Sequence, residues 1–166
     1  MAVAHEVIDH EHNCLHRGEY WHAVHFNAAL ANGASDGFVI KTGDREAHVY
    51  FSIVSSGSAL LRFMEGATVT ASDTTTPYNA NRYRGGSGTL SLSSASTGTS
   101  PDFAPTVNGT MLWEAHIPAI GGFGGGGEMF ETIGWLLNRN TTYVLGACNK
   151  QGATGGTGFR VSWCAG

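Results

Sequence analysis

The chain has 166 residues, enough for one well-buried domain and short for two. Hydrophobic residues make up 42% and charged residues only 13%, about half the usual share of roughly 25%, which excludes charge-driven disorder and leaves Ser, Thr, Asn and Gly to carry the polar surface. Nine Lys and Arg against thirteen Asp and Glu give a net charge of −4, and Arg82 with Arg84 is the nearest thing to a basic stripe, so nucleic acid is excluded as a partner.

Met1 to Arg17 is polar and histidine-rich without either periodicity and reads as an extended arm. It lacks the basic start and apolar core of a secretory signal, and no apolar run in the chain reaches the roughly 20 residues of a membrane helix, so synthesis in the cytoplasm and no membrane contact are expected. From Tyr20 to Phe26 the pattern predicts a strand with Tyr20, His22, Val24 and Phe26 on one face. After the turn-like Asn32 to Asp36, Gly37 to Lys41 is a short apolar strand. Ala47 to Val54 alternates cleanly, with Val49, Phe51 and Ile53 opposite His48, Tyr50 and Ser52. Leu60 to Glu65 is a further strand, bounded by Gly57 and Gly66 and continued by Ala67 to Ala71 beyond a bend.

Ser72 to Val107 is mostly Ser, Thr, Gly, Asn and Pro. Leu90 and Leu92 support one short strand there, and Ser93 to Pro105 reads as a long surface loop of the kind that functions or interacts. Thr110 to Ile117 sets Met111, Trp113 and Ala115 against Leu112, Glu114 and His116. Beyond the glycine tract Gly121 to Gly127, Glu128 to Leu137 fits a helical turn or a poorly alternating strand. Thr141 to Asn149 and Phe159 to Cys164 read as a terminal hairpin across the glycine-rich Lys150 to Gly158. Short strands between turn signals, with no long helices, predict an all-β sandwich or jelly roll of about eight antiparallel strands, with residues 1–17 as arm and 18–166 as a single domain.

The candidate chemistry is sparse. His5, His10, His12, His16, His22 and His25 fall in the first 25 residues beside Glu6, Asp9, Glu11 and Cys14, all ligand types for zinc-like metals. The spacing of His5 and His10 is five rather than the four that places both on one helical face, although His10 and His12 would share a face of an extended strand. Hydrogen-bonding or interface histidines are the expectation, with no metal. Gly122 to Gly127 matches the dinucleotide fingerprint in letters only, because no strand–helix unit frames it. No serine elbow or cysteine–base pair stands out, and no enzyme activity and no cofactor are expected. Trp21, Trp113, Trp135 and Trp163 read as core, with a sugar-binding platform as the alternative. Three cysteines, Cys14, Cys148 and Cys164, cannot all pair within one chain. Two readings stay open: buried thiols, or an inter-subunit disulfide through Cys14 and Cys164 near the chain ends.

Three stretches carry a resemblance. The first is His12 to Phe26, passing through His16-Arg17-Gly18-Glu19-Tyr20-Trp21. The second is Leu61 to Val69, then Thr76-Pro77-Tyr78-Asn79-Ala80-Asn81-Arg82. The third is Gly127-Glu128, then Gly134 to Tyr143, ending in the strand near Trp163. In order and spacing the chain resembles a family of small tailed-bacteriophage virion proteins, similar to head decoration, or cement, proteins. The cysteines, the residues after Arg82 and the Gly121 to Gly127 tract depart from that pattern. The resemblance implies a structural protein on the phage head surface, partnered by the major capsid protein and by copies of itself as a homo-oligomer. The expected contacts are His5, His10, His12, His16 and Arg17 of the arm, and Tyr78, Asn79, Asn81, Arg82 and Arg84 of the central loop. A tail-associated receptor- or glycan-binding β-sandwich module is the alternative function.

Overall fold

In the computed structural model, which describes residues 10–68, 73–81, 91–97, 109–118, 127–130 and 134–165, one short helix precedes twelve strands. Helix α1 spans His10–Arg17. The strands are β1 Tyr20–Leu30, β2 Ser35–Lys41, β3 Ala47–Ser55, β4 Ala59–Glu65, β5 Asp73–Thr74, β6 Tyr78–Asn79, β7 Ser91–Thr97, β8 Thr110–Ile117, β9 Gly127–Phe130, β10 Trp135–Leu137, β11 Thr142–Asn149 and β12 Gly155–Ala165. They form two antiparallel sheets. The first runs β10-β3-β12-β1-β6, with β9 also beside β3, and the second runs β5-β7-β2-β11-β4-β8. Among the described residues no helix is long and apolar enough to cross a membrane.

One core joins the two layers. The first sheet contributes Trp21, Ala23, Val49, Phe51, Ile53, Val161 and Trp163, and the second contributes Phe38, Ile40, Leu61, Phe63, Tyr143 and Leu145. The alternation of β3 becomes burial directly, with Val49 and Ile53 fully covered. Aromatic rings meet across the layers: Phe51 lies 5.2 Å from Phe63, which stacks on Tyr143 at 5.7 Å. In β8 a register shift opposite Phe63 and Met64 interrupts the alternation. Trp113 and Ala115 therefore pack on the main core, while Met111 joins Val39, Met64 and Val144 in a separate cluster.

Four expectations change. His10–Arg17 is helical rather than an extended arm. It ends at Gly18, whose φ of 74° is a left-handed conformation that suits glycine. The Gly18 amide donates to the Leu15 carbonyl and the Glu19 amide to the Cys14 carbonyl, the paired bonds of a helix stop. Ser93–Thr97, expected within a loop, belongs to β7 and pairs along β2. Glu128 to Leu137 holds strand at both ends, with β9 and β10 sharing one edge of β3. The last two long strands are not a hairpin: β11 lies between β2 and β4, whereas β12 lies between β1 and β3 in the other sheet.

Candidate functional site

The expected contact residues come from two segments some sixty positions apart, and the described ones among them, in α1 and in Tyr78 to Asn81, lie beside β1 of the first sheet. Helix α1 packs on β1 and β12. Its Cys14, only 3% exposed, is bonded to Cys164 of β12 in the same chain, with the two Cα atoms 5.8 Å apart. Neither open reading holds for this pair: the bond is intrachain rather than inter-subunit, because helix formation turns Cys14 inward over the strand that carries Cys164. Cys148 is buried and outside the disulfide, and its thiol donates to the Gly33 carbonyl at 3.6 Å.

Asn79 and Asn81 serve this same junction. The Asn79 side-chain amide donates to the Gly18 carbonyl at 2.7 Å. The Asn81 amide donates to the Leu15 carbonyl at 2.9 Å and to the His16 carbonyl at 3.4 Å. The Leu15 carbonyl, which also takes the Gly18 amide, and the His16 and Gly18 carbonyls lie at the end of the helix, so both asparagines direct donors inside the molecule. Asn81 is itself held, its backbone N–H donating to the Asn79 Oδ1 at 2.8 Å. Tyr78 is half-exposed, and its ring lies 6.0 Å from that of His22.

On the outward side of α1, Arg17 grips Glu19 through two 2.9 Å contacts, an exposed pair of small energetic value. His12 and His16 meet with their Nε2 atoms 2.8 Å apart. Glu11, His12, Leu15 and Tyr20 line a shallow cleft of about 210 Å³. Burial pushes the Tyr20 phenol above its ordinary pKa; the Ser162 hydrogen bond pulls it down and the Glu11 carboxylate adds to the rise. His10 opens the helix, while His5, Arg82 and Arg84 lie outside the described residues. Among the described residues no three His, Cys, Asp or Glu side chains converge as a metal site.

The sequence reading missed an apolar stripe on the outer face of the first sheet. Val24 and Phe26 share a face with His22 as expected, but that face points outward: Phe26 is 68% exposed and Val24 56%, while Trp21 and Ala23 enter the core. The register aligns Phe26, Gly158 and Val54 across β1, β12 and β3. Gly158 lets the two side chains close over it, since a Cβ would sit 2.8 Å from the Val54 Cγ2 and 3.2 Å from the Phe26 Cδ2 and one of them would have to shift. The stripe borders a cleft of about 280 Å³ lined by Val24, His25, Ser52, Val54, Phe159 and Arg160. Beneath it the His25 Nε2 lies 2.9 Å from both oxygens of the fully buried Asp36 carboxylate, tying β1 to β2. The tryptophans form no sugar platform: Trp21 and Trp163 are buried, and Trp113 and Trp135 pack against the core.

No family model matches the chain, and no curated protein or solved structure matches it.

Proposed function

We propose that this chain is a capsid decoration protein that binds the outer surface of a tailed-phage head and ties capsomers together, working with the major capsid protein and copies of itself. The observation that carries the reading is the outward stripe of Val24, Phe26 and Val54. It is apolar surface on a domain whose core is already closed, and docking against protein removes it from water. The resemblance of His12 to Phe26, Leu61 to Val69 with Thr76 to Arg82, and Gly127-Glu128 with Gly134 to Tyr143 to head decoration proteins supports the choice of partner.

The strand order supports a jelly roll. Setting aside the peripheral β5, β6, β7 and β9 leaves β10-β3-β12-β1 facing β2-β11-β4-β8. Numbered along the chain, these eight strands run sixth, third, eighth, first against second, seventh, fourth, fifth. That is the order of two nested Greek keys, an architecture of viral capsid and lectin domains. The lectin side of that comparison also favours the second reading, a glycan-binding tail module using the cleft beside Arg160.

The test is cosedimentation of the purified protein with phage heads lacking decoration, alongside its copy number in intact particles. Saturable binding at a stoichiometry set by the shell lattice is expected, with a clear loss in Phe26→Ser. Binding to host cells or immobilised glycans but not to heads would transfer the chain to the second reading.

A further inference from the structure

We infer that His12 and His16 form a two-imidazole site for a divalent transition-metal ion, of which zinc is the representative case. The two side chains are four residues apart on α1 and so project from one face. Their Nε2 atoms already point at one another across 2.8 Å, with ring centroids 4.4 Å apart. Two imidazole nitrogens bound tetrahedrally to zinc at 2.0–2.1 Å are about 3.4 Å apart, so opening the pair by roughly half an ångström admits the ion. In the metal-free pair one Nε2–H donates to the other ring. The ion takes both Nε2 lone pairs once that hydrogen occupies Nδ1 of its own ring, so a neutral pair releases no proton and the ion sheds two waters.

Preorganisation separates this pair from histidines on a flexible chain. An eight-residue helix is marginal alone, but α1 is fixed to the sandwich by the Cys14–Cys164 bond, by the Asn81 amide and by its stop at Gly18. At 100° per residue Cys14 lies on the side of the helix opposite His12 and His16. The anchor that buries one face therefore presents the other. Glu11 lines the same cleft as His12 and adds negative charge, while the charge of Arg17 is offset by Glu19. Two protein ligands leave the remaining coordination positions to water or to a donor from another molecule.

The experiment is a titration of the untagged, oxidised full chain with ZnCl2 alone in a non-coordinating buffer, by calorimetry, with circular dichroism to confirm folding of each variant. One ion per chain is expected, with affinity lowered about tenfold or more in both His12→Gln and His16→Gln, since each loses the chelate advantage. The double variant H5Q/H10Q is expected to bind as the wild type does. No saturable binding, wild-type affinity in H12Q and H16Q, or a loss confined to H5Q/H10Q would overturn the site.

Discussion

Tyr143 shows how one polar atom shapes a buried corner. Its hydroxyl donates to the Glu65 Oε1 at 2.8 Å and accepts the Asn138 amide at 2.9 Å, on a residue only 2% exposed. Burial, then the Glu65 hydrogen bond, pushes the phenol up to about 12. A folded-state pKa above the ordinary value of about 10 means the contribution is complete below pH 10 and is lost as pH rises towards 12. Phenolate absorbance should therefore include a step near pH 12, and Tyr143→Phe should remove that step. The same variant leaves the Asn138 amide without its acceptor and should cost about 1–3 kcal/mol in urea denaturation at neutral pH. Asn81 offers a sharper contrast. Asn81→Ala should cost about 1 kcal/mol by uncapping two carbonyls. Asn81→Asp should cost more, because a carboxylate then faces those carbonyls and the negative end of α1. A wild-type melting temperature in Asn81→Ala would mean the amide donors contribute nothing. Neither role is legible in the sequence, where Tyr78-Asn79-Ala80-Asn81 reads as a distinctive exposed motif. Its meaning depends on carbonyls over sixty positions away.

Helix α1 carries the element-scale argument, because local preference alone does not account for it. Apart from Cys14 and Leu15 it is polar, and it packs on the neighbouring β1 and on β12 from the other end of the chain. The disulfide closes a loop of 150 residues, so removing it restores much freedom to the unfolded chain. Cys14→Ser with Cys164→Ser should cost about 2–5 kcal/mol. Amide exchange across His10–Arg17 should accelerate in that variant before the core strands respond. Non-reducing electrophoresis of the wild type should show a monomer; a reducible dimer through these cysteines would refute the intrachain bond. Periodicity finds β3 because its inward and outward residues differ in kind, and it misses α1 because that helix has almost no apolar face to detect. The supposed terminal hairpin failed for another reason. Turn chemistry in Lys150 to Gly158 shows that the chain reverses, not which sheet receives the returning strand.

At the scale of the whole molecule, the two faces of β1 divide buried apolar side chains from exposed ones. Trp21 and Ala23 close the core, while Val24 and Phe26 face solvent beside Val54. Alternation along Tyr20 to Phe26 gives the phase of the strand but not its direction, because apolar residues occupy both faces; only the packing of Trp21 decides which is inward. The all-β class and the two layers were thus readable, whereas the exposed stripe was not. The division yields a paired expectation. Phe63 is fully buried between the layers, so Phe63→Ala should cost about 3–5 kcal/mol through the cavity it leaves. Phe26→Ser lies outside the core and should change stability by no more than about 0.5 kcal/mol. Head binding measured below the melting temperature of both variants should show the reverse order, nearly intact for Phe63→Ala and sharply reduced for Phe26→Ser. Repetition over a symmetric shell magnifies a modest loss at each contact into a large fall in occupancy. If occupancy instead follows stability across the pair, the stripe is not the docking face and the contact lies elsewhere on the domain.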